Sequence, residues 1–230
     1  MNGAEHLFWF TATLAAYWAA DRLHQACGQV AWLNPVVVTI TALIGLLLAT
    51  DTSYSTYFEA NRFLHFLLGP ATVALAVPLV QRIRELGDCW RSLALALGTG
   101  SVTAVLTALG LGWLVGLPPK MLIAMLPKSA TTPIAMPVAA GLGGNASLAA
   151  VLVIITGLLA AVAGLPLMHR LRVTSPMARG LALGLGGHGL GTARAYRDGP
   201  VTGAYAGLAM GLNGLATAIL VPLAVWLIGL

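Results

Sequence analysis

An all-α membrane fold with several spans follows from three observations. Of 230 residues, 58% are hydrophobic and only 8% charged, where a soluble domain carries about 25% charge. The mean hydropathy of +0.87 is too high for a soluble core of this length to absorb. The apolar runs are also long and continuous, whereas outer-membrane strands alternate polar and apolar residues over about ten positions. Helical spans are therefore expected, each needing about 20 apolar residues.

In order along the chain, full spans are expected near 7–24, 31–50, 92–116, 146–168 and 201–228, about five in all. The N-terminal MNGAEHLFWF lacks the cationic start of a signal peptide, so its apolar run reads as a retained first span. Three further segments, 59–81, 118–140 and 177–199, are apolar but interrupted by GPATVALAVP, PKSATTPIAMP and GGHGLGTARA. These two or three broken helices either re-enter from one face or cross as kinked rods.

The interruptions recur. Placing 69–79 over 128–138 aligns Ala71 with Ala130, Thr72 with Thr131, Ala76 with Ala135 and Pro78 with Pro137. The step is constant, 130 − 71 = 59 and 137 − 78 = 59, and it also carries 92–109 onto 151–168 and 118–140 onto 177–199. Loop charge alternates with it. Residues 82–91 hold three arginines, 141–150 hold no charge, and 169–179 are basic again. By the positive-inside tendency the first and third loops face the cytoplasm. One crossing per step then gives an inverted-repeat arrangement. The expected organisation is one domain over 1–230: an extra first span at 7–24, overlapping repeat units at 31–116 and 92–170, and a C-terminal unit at 177–228. The N-terminus is expected in the cytoplasm and the C-terminus outside.

The net charge of +5 is scattered among loops, so membrane orientation explains it and no nucleic-acid partner is expected. Two cysteines, Cys27 and Cys89, and a lone His24–Cys27 pair suggest neither a disulfide nor a metal site. No cofactor is expected. Without a Ser/His/Asp order, paired carboxylates or an HExxH motif, there are no catalytic residues to assign and no enzyme to expect.

The candidate site is LPKSATTPIAMP, 126–137. Proline removes a backbone donor, and non-helical backbone at membrane depth persists only inside protein or beside a watery cavity. A half-helix starting near Lys128 would aim its free N–H groups and positive dipole end at an anion. Lys128, Ser129, Thr131 and Thr132 would orient a carboxylate, and a matching break at Gly69–Thr72, with Pro70 and Thr72, would bring a second half-helix start from the other face. Against this, a lysine near a span end can simply reach the headgroups. A second constellation lies in GLGGHGLGTARA, 184–195, with His188, Thr192 and Arg194. His188 is either a proton-coupling group or a histidine hydrogen-bonded to a nearby carbonyl. Arg194 either forks a carboxylate or fixes the helix at the cytoplasmic face. Asn213, in the last span, suits a hydrogen bond between helices.

LLGPATVALAVPL, LPKSATTPIAMPV, GHGLGTARA and GLAMGLNGLATAILVPL resemble the signature stretches of the LrgB/CidB family, and the resemblance spans 30–228. It implies a bacterial inner-membrane protein, often encoded beside a smaller LrgA/CidA-like membrane partner. The family is described as holin/antiholin-like modulators of murein hydrolases and autolysis. Plastid relatives exchange glycolate and glycerate, and bacterial members are linked to pyruvate uptake. Two functions from different classes are therefore expected: a carrier of small 2-oxo or 2-hydroxy monocarboxylates, or a holin-like element. Partners are the lipid bilayer, a small carboxylate and further copies of the chain.

Overall fold

The computed structural model describes residues 3–28, 30, 33–74 and 83–230, without the side chains of 68, 71, 72, 74 and 83–89. Among them are ten helices and no strand, in two compact units, Met1–Ala71 and Thr72–Leu230.

In the first unit, α1 (Gly3–Ala26), α2 (Pro35–Ala49) and α3 (Tyr54–Ala60) precede α4 (Arg62–Ala74). Asn34 starts α2 by accepting the Val36 N–H at 2.9 Å, and Pro35 follows in the first turn, where no donor is missed. Ser53 caps α3 through the Thr56 N–H. Buried Trp9 meets Tyr57 edge-on at 5.7 Å, and Thr13 shares a hydrogen bond with the Tyr57 hydroxyl at 3.1 Å. The 15 residues of α2 span about 22 Å, short of a hydrocarbon layer of about 30 Å. α1 is long enough but carries Glu5, Asp21 and Arg22 near its ends.

The first expected break is corrected here. Gly69 and Pro70 lie inside α4, which is helical from Arg62 to Ala74. An interior proline removes the bond back to residue 66 alone, so the helix continues and no half-helix starts at 69–72. Residues 75–81 of the expected segment lie outside those described.

The second unit alternates spans with hairpins. Its elements are α5 (Ile83–Leu114), α6 (Pro119–Met125), α7 (Thr132–Gly141), α8 (Ala146–Arg170), α9 (Pro176–Asp198) and α10 (Pro200–Ile228). Among the described residues, three helices are long and apolar enough to cross a membrane: 90–114 of α5, α8 and α10. Trp90 and Trp113 stand exposed near the two ends of the first, about 34 Å apart along a helix, as interfacial tryptophans would be.

The other two broken segments fold back on themselves. Arg179 and Asp198 sit at opposite ends of α9 yet form an ion pair at 3.3 Å, where a straight helix would hold them about 28 Å apart. The reversal is at His188, whose φ of 37° and ψ of −126° interrupt the helix. Likewise a Cβ built on Gly144 would meet the Ile123 side chain at 2.7 Å, and Ala124 packs with Ala139. α6 and α7 are thus the arms of one hairpin (119–141), and the two halves of α9 are the arms of another (176–198).

The core shows which way each hairpin enters. Val105 and Ala108 of α5 and Val221 and Val225 of α10 pack around Ile123 and Leu126 of the first hairpin. Leu93 and Leu97 of α5 and Leu208 and Ala209 of α10 pack around Leu181 of the second. The hairpins therefore occupy opposite halves of the same two spans, with tips facing near Ser101 and Asn213.

Candidate functional site: two opposed hairpin tips

The first tip is a polar turn. Met125 ends α6, the turn 126–130 is closed by the Ala130 N–H donating to Pro127 O at 2.9 Å, and α7 begins at Thr132 behind Thr131. Pro127 is fully buried, and Pro133 in the first turn of α7 has no N–H to give. Half-buried Lys128 donates to the Ser129 hydroxyl at 3.4 Å, and no acidic group pairs with it among the described residues. Thr131 makes no side-chain cap to α7, and its buried Oγ1 has no hydrogen-bond partner. Thr132 is half-buried beside it. A cation, surplus hydroxyl capacity and a ten-residue helix start therefore converge on one turn. Such a turn can receive a small anion.

The second tip is closed. The His188 Nδ1 accepts the Gly189 N–H at 2.9 Å, so Nε2 carries the proton and donates to Val153 O at 2.8 Å. Both ring nitrogens are used, and a proton-coupling role would require one of these bonds to open. Gly157 on α8 makes room for the ring: a Cβ there would lie 2.7 Å from Nε2. Buried Thr192 turns its hydroxyl to Met210 Sδ at 3.8 Å. Arg194 is half-buried on the returning arm.

Asn213 of α10 joins the tips. Its Nδ2 donates to Ser129 O at 2.8 Å and to Leu185 O at 3.3 Å, while its Oδ1 accepts the Ser101 hydroxyl at 2.7 Å. Lys128, Ser129, Thr131 and Thr132 thus share the first tip, and His188 and Asn213 lie close by. Pro70 is exposed on α4, and the Thr72 side chain is outside the described residues. Ser101 and the carbonyls of Val153 and Leu185 were missed by sequence reasoning. A hydroxyl in the apolar span GTGSVTAVL was the signal for Ser101, while a carbonyl leaves none. An apolar groove of about 720 Å³ lies at the span ends between Leu106, Trp113, Leu117, Pro119, Ile228 and Leu230, away from both tips.

Alternating spans and opposed re-entrant hairpins define a helical membrane protein built around an internal polar junction. The chain belongs to the LrgB-like family, whose profile matches residues 13–227, as the signature stretches led us to expect. No solved structure matches the chain.

Proposed function

We propose that the protein is a secondary transporter of small 2-oxo or 2-hydroxy monocarboxylates, of the pyruvate, glycolate or glycerate type, across the bacterial inner membrane. The observation that carries this reading is the first tip, where Lys128, the unpartnered Thr131 hydroxyl and the start of α7 converge inside the unit. The substrate carboxylate sits against Lys128 and the start of α7, and the Ser129, Thr131 and Thr132 hydroxyls take its remaining oxygens. Access alternates as one hairpin and its spans move against the other.

The reciprocal ties of the tips support an inverted repeat. The step from Ser129 to His188 is 188 − 129 = 59. The first is held from α10 by Asn213, the second holds α8 at Val153, and 213 − 153 = 60. With basic loops inside, the first hairpin enters from outside and the second from the cytoplasm.

Purified protein in proteoliposomes, given radiolabelled pyruvate, lactate, glycolate and glycerate, tests the reading. Saturable uptake is expected, and Lys128→Ala should lower kcat/KM about 10- to 150-fold, the value of a charge-assisted hydrogen bond of about 1.5–3 kcal/mol. Unchanged uptake by that variant removes the lysine from the mechanism. Dye leakage without saturation by any carboxylate would instead favour a holin-like element.

A further inference from the structure

Each hairpin owes its reversal to a residue that strips a carbonyl of its helical partner. In a helix, Ser129 O would accept from the N–H of residue 133, but residue 133 is proline, which has none. Leu185 O would accept from the N–H of Gly189, but that N–H is turned to His188 Nδ1. One carbonyl on each hairpin thus loses its usual helical donor, in a buried setting where a lost bond is costly.

Both carbonyls go to one amide. Asn213 is 1% exposed and presents its two N–H bonds to Ser129 O and Leu185 O. Its orientation is forced: carbonyls only accept, so a flipped amide would set its oxygen against two others. The Ser101 hydroxyl, donating to Oδ1, holds it from the other side. Small residues allow the approach. A Cβ on Gly214 would meet Ile134 of the first hairpin at 2.6 Å, and Gly100 makes way for Leu185 of the second.

The geometry points to Asn213 as the positioning residue that links the two hairpins mechanically, with Ser101 as its brace. When either tip withdraws from α10, its carbonyl loses its partner while the amide stays bound to the other tip. Movement of one hairpin is therefore felt at the other through a single side chain. The consequence for turnover rests on the carrier reading, but the link itself does not.

Hydrogen exchange followed by mass spectrometry on the purified full chain tests the link. In Asn213→Leu, amides of 126–131 and of 183–190 should both exchange about tenfold faster, near the upper range for one interhelical side-chain network in a membrane protein, with 146–152 unchanged. Ser101→Ala should raise both by a few-fold, and it serves alone if Asn213→Leu does not fold. Val225→Ala, about 18 Å along α10 from Asn213 and in the core that holds the first hairpin, is the control for general loosening. A rise at one tip only, at neither, or uniformly as in the control would overturn the link.

Uptake by the same variants reads the consequence. Turnover should fall about tenfold in Asn213→Leu with KM within about threefold. A raised KM alone would place Asn213 on the substrate and overturn the positioning role. If the wild-type protein takes up no carboxylate, the carrier reading fails and the exchange experiment still decides the link.

Discussion

The hairpin at 119–141 and the hairpin at 176–198 reverse the chain by different means, and their chemistry differs accordingly. The first turns gradually over 126–131, with prolines at 127 and 133, and leaves a lysine with no acidic partner among the described residues and a threonine hydroxyl with no partner. The second turns at one residue with positive φ, and the side chain of that residue closes the turn by binding on both sides. The first arms are held by small apolar contacts around Ala124 and Ala139. The second are pinned at their base, where Arg179 donates to Asp198 and meets His169, and Asp198 also accepts the Thr202 hydroxyl. A wide break leaves polar groups for a guest; a tight break uses its polar groups on itself. Substitutions in the second hairpin should therefore cost stability, and those at the first tip should cost function.

The largest effect should come from Gly184→Val. A Cβ at Gly184 would run into the backbone of Ala206, 2.7 Å from its carbonyl carbon, and backbone cannot step aside as a side-chain end can. A loss of at least about 3 kcal/mol is expected, seen as failure to elute as a single species in detergent. A well-behaved variant with wild-type melting would break the view of the second hairpin as the rigid partner.

Next in size is His188→Ala, which must hold a positive φ that alanine disfavours without either ring bond. We expect about 2–3 kcal/mol of destabilisation. His188→Gly, which accepts that backbone freely, should recover about 0.5–1 kcal/mol of it. Equal melting temperatures for the two would show that backbone strain plays no part at this turn.

The smallest effect on stability belongs to Thr131→Val. Removing a buried hydroxyl without a partner should leave stability unchanged or raise it by up to about 1 kcal/mol. Carboxylate uptake should nevertheless show a several-fold higher KM, equivalent to about 1 kcal/mol. A drop in melting temperature would mean that the hydroxyl is structural, and the contrast between the hairpins would narrow.

The bounds of both hairpins were legible in the sequence almost to the residue, because prolines and glycines act on their own few bonds, while re-entry and a kinked crossing both stayed open. Segments expected at 118–140 and 177–199 appear at 119–141 and 176–198. The same signal misled at Gly69–Pro70, since a lone proline within α4 removes one hydrogen bond and the helix absorbs the loss. Lys128 and Thr131 were visible because polar residues in an apolar chain stand out. The partner of their turn was not. The sequence repeat paired 128–132 with 69–72, but within the second unit the first tip is tied to the second through Asn213, across 84 residues to Ser129 and 112 to Ser101. A side chain that reaches distant carbonyls imposes no spacing on its neighbours, so periodicity cannot announce it.

A hairpin that dips in and returns adds apolar length without changing compartment. Read from hydropathy alone, 119–141 and 176–198 would count as two more crossings, raising three to five in the second unit. Both numbers are odd. Reporters placed only at the two ends of this unit would thus give the same answer for either topology. The informative pair of positions flanks a single hairpin, one in 115–118 and one in 142–145, which a hairpin should leave open to labelling from the same side.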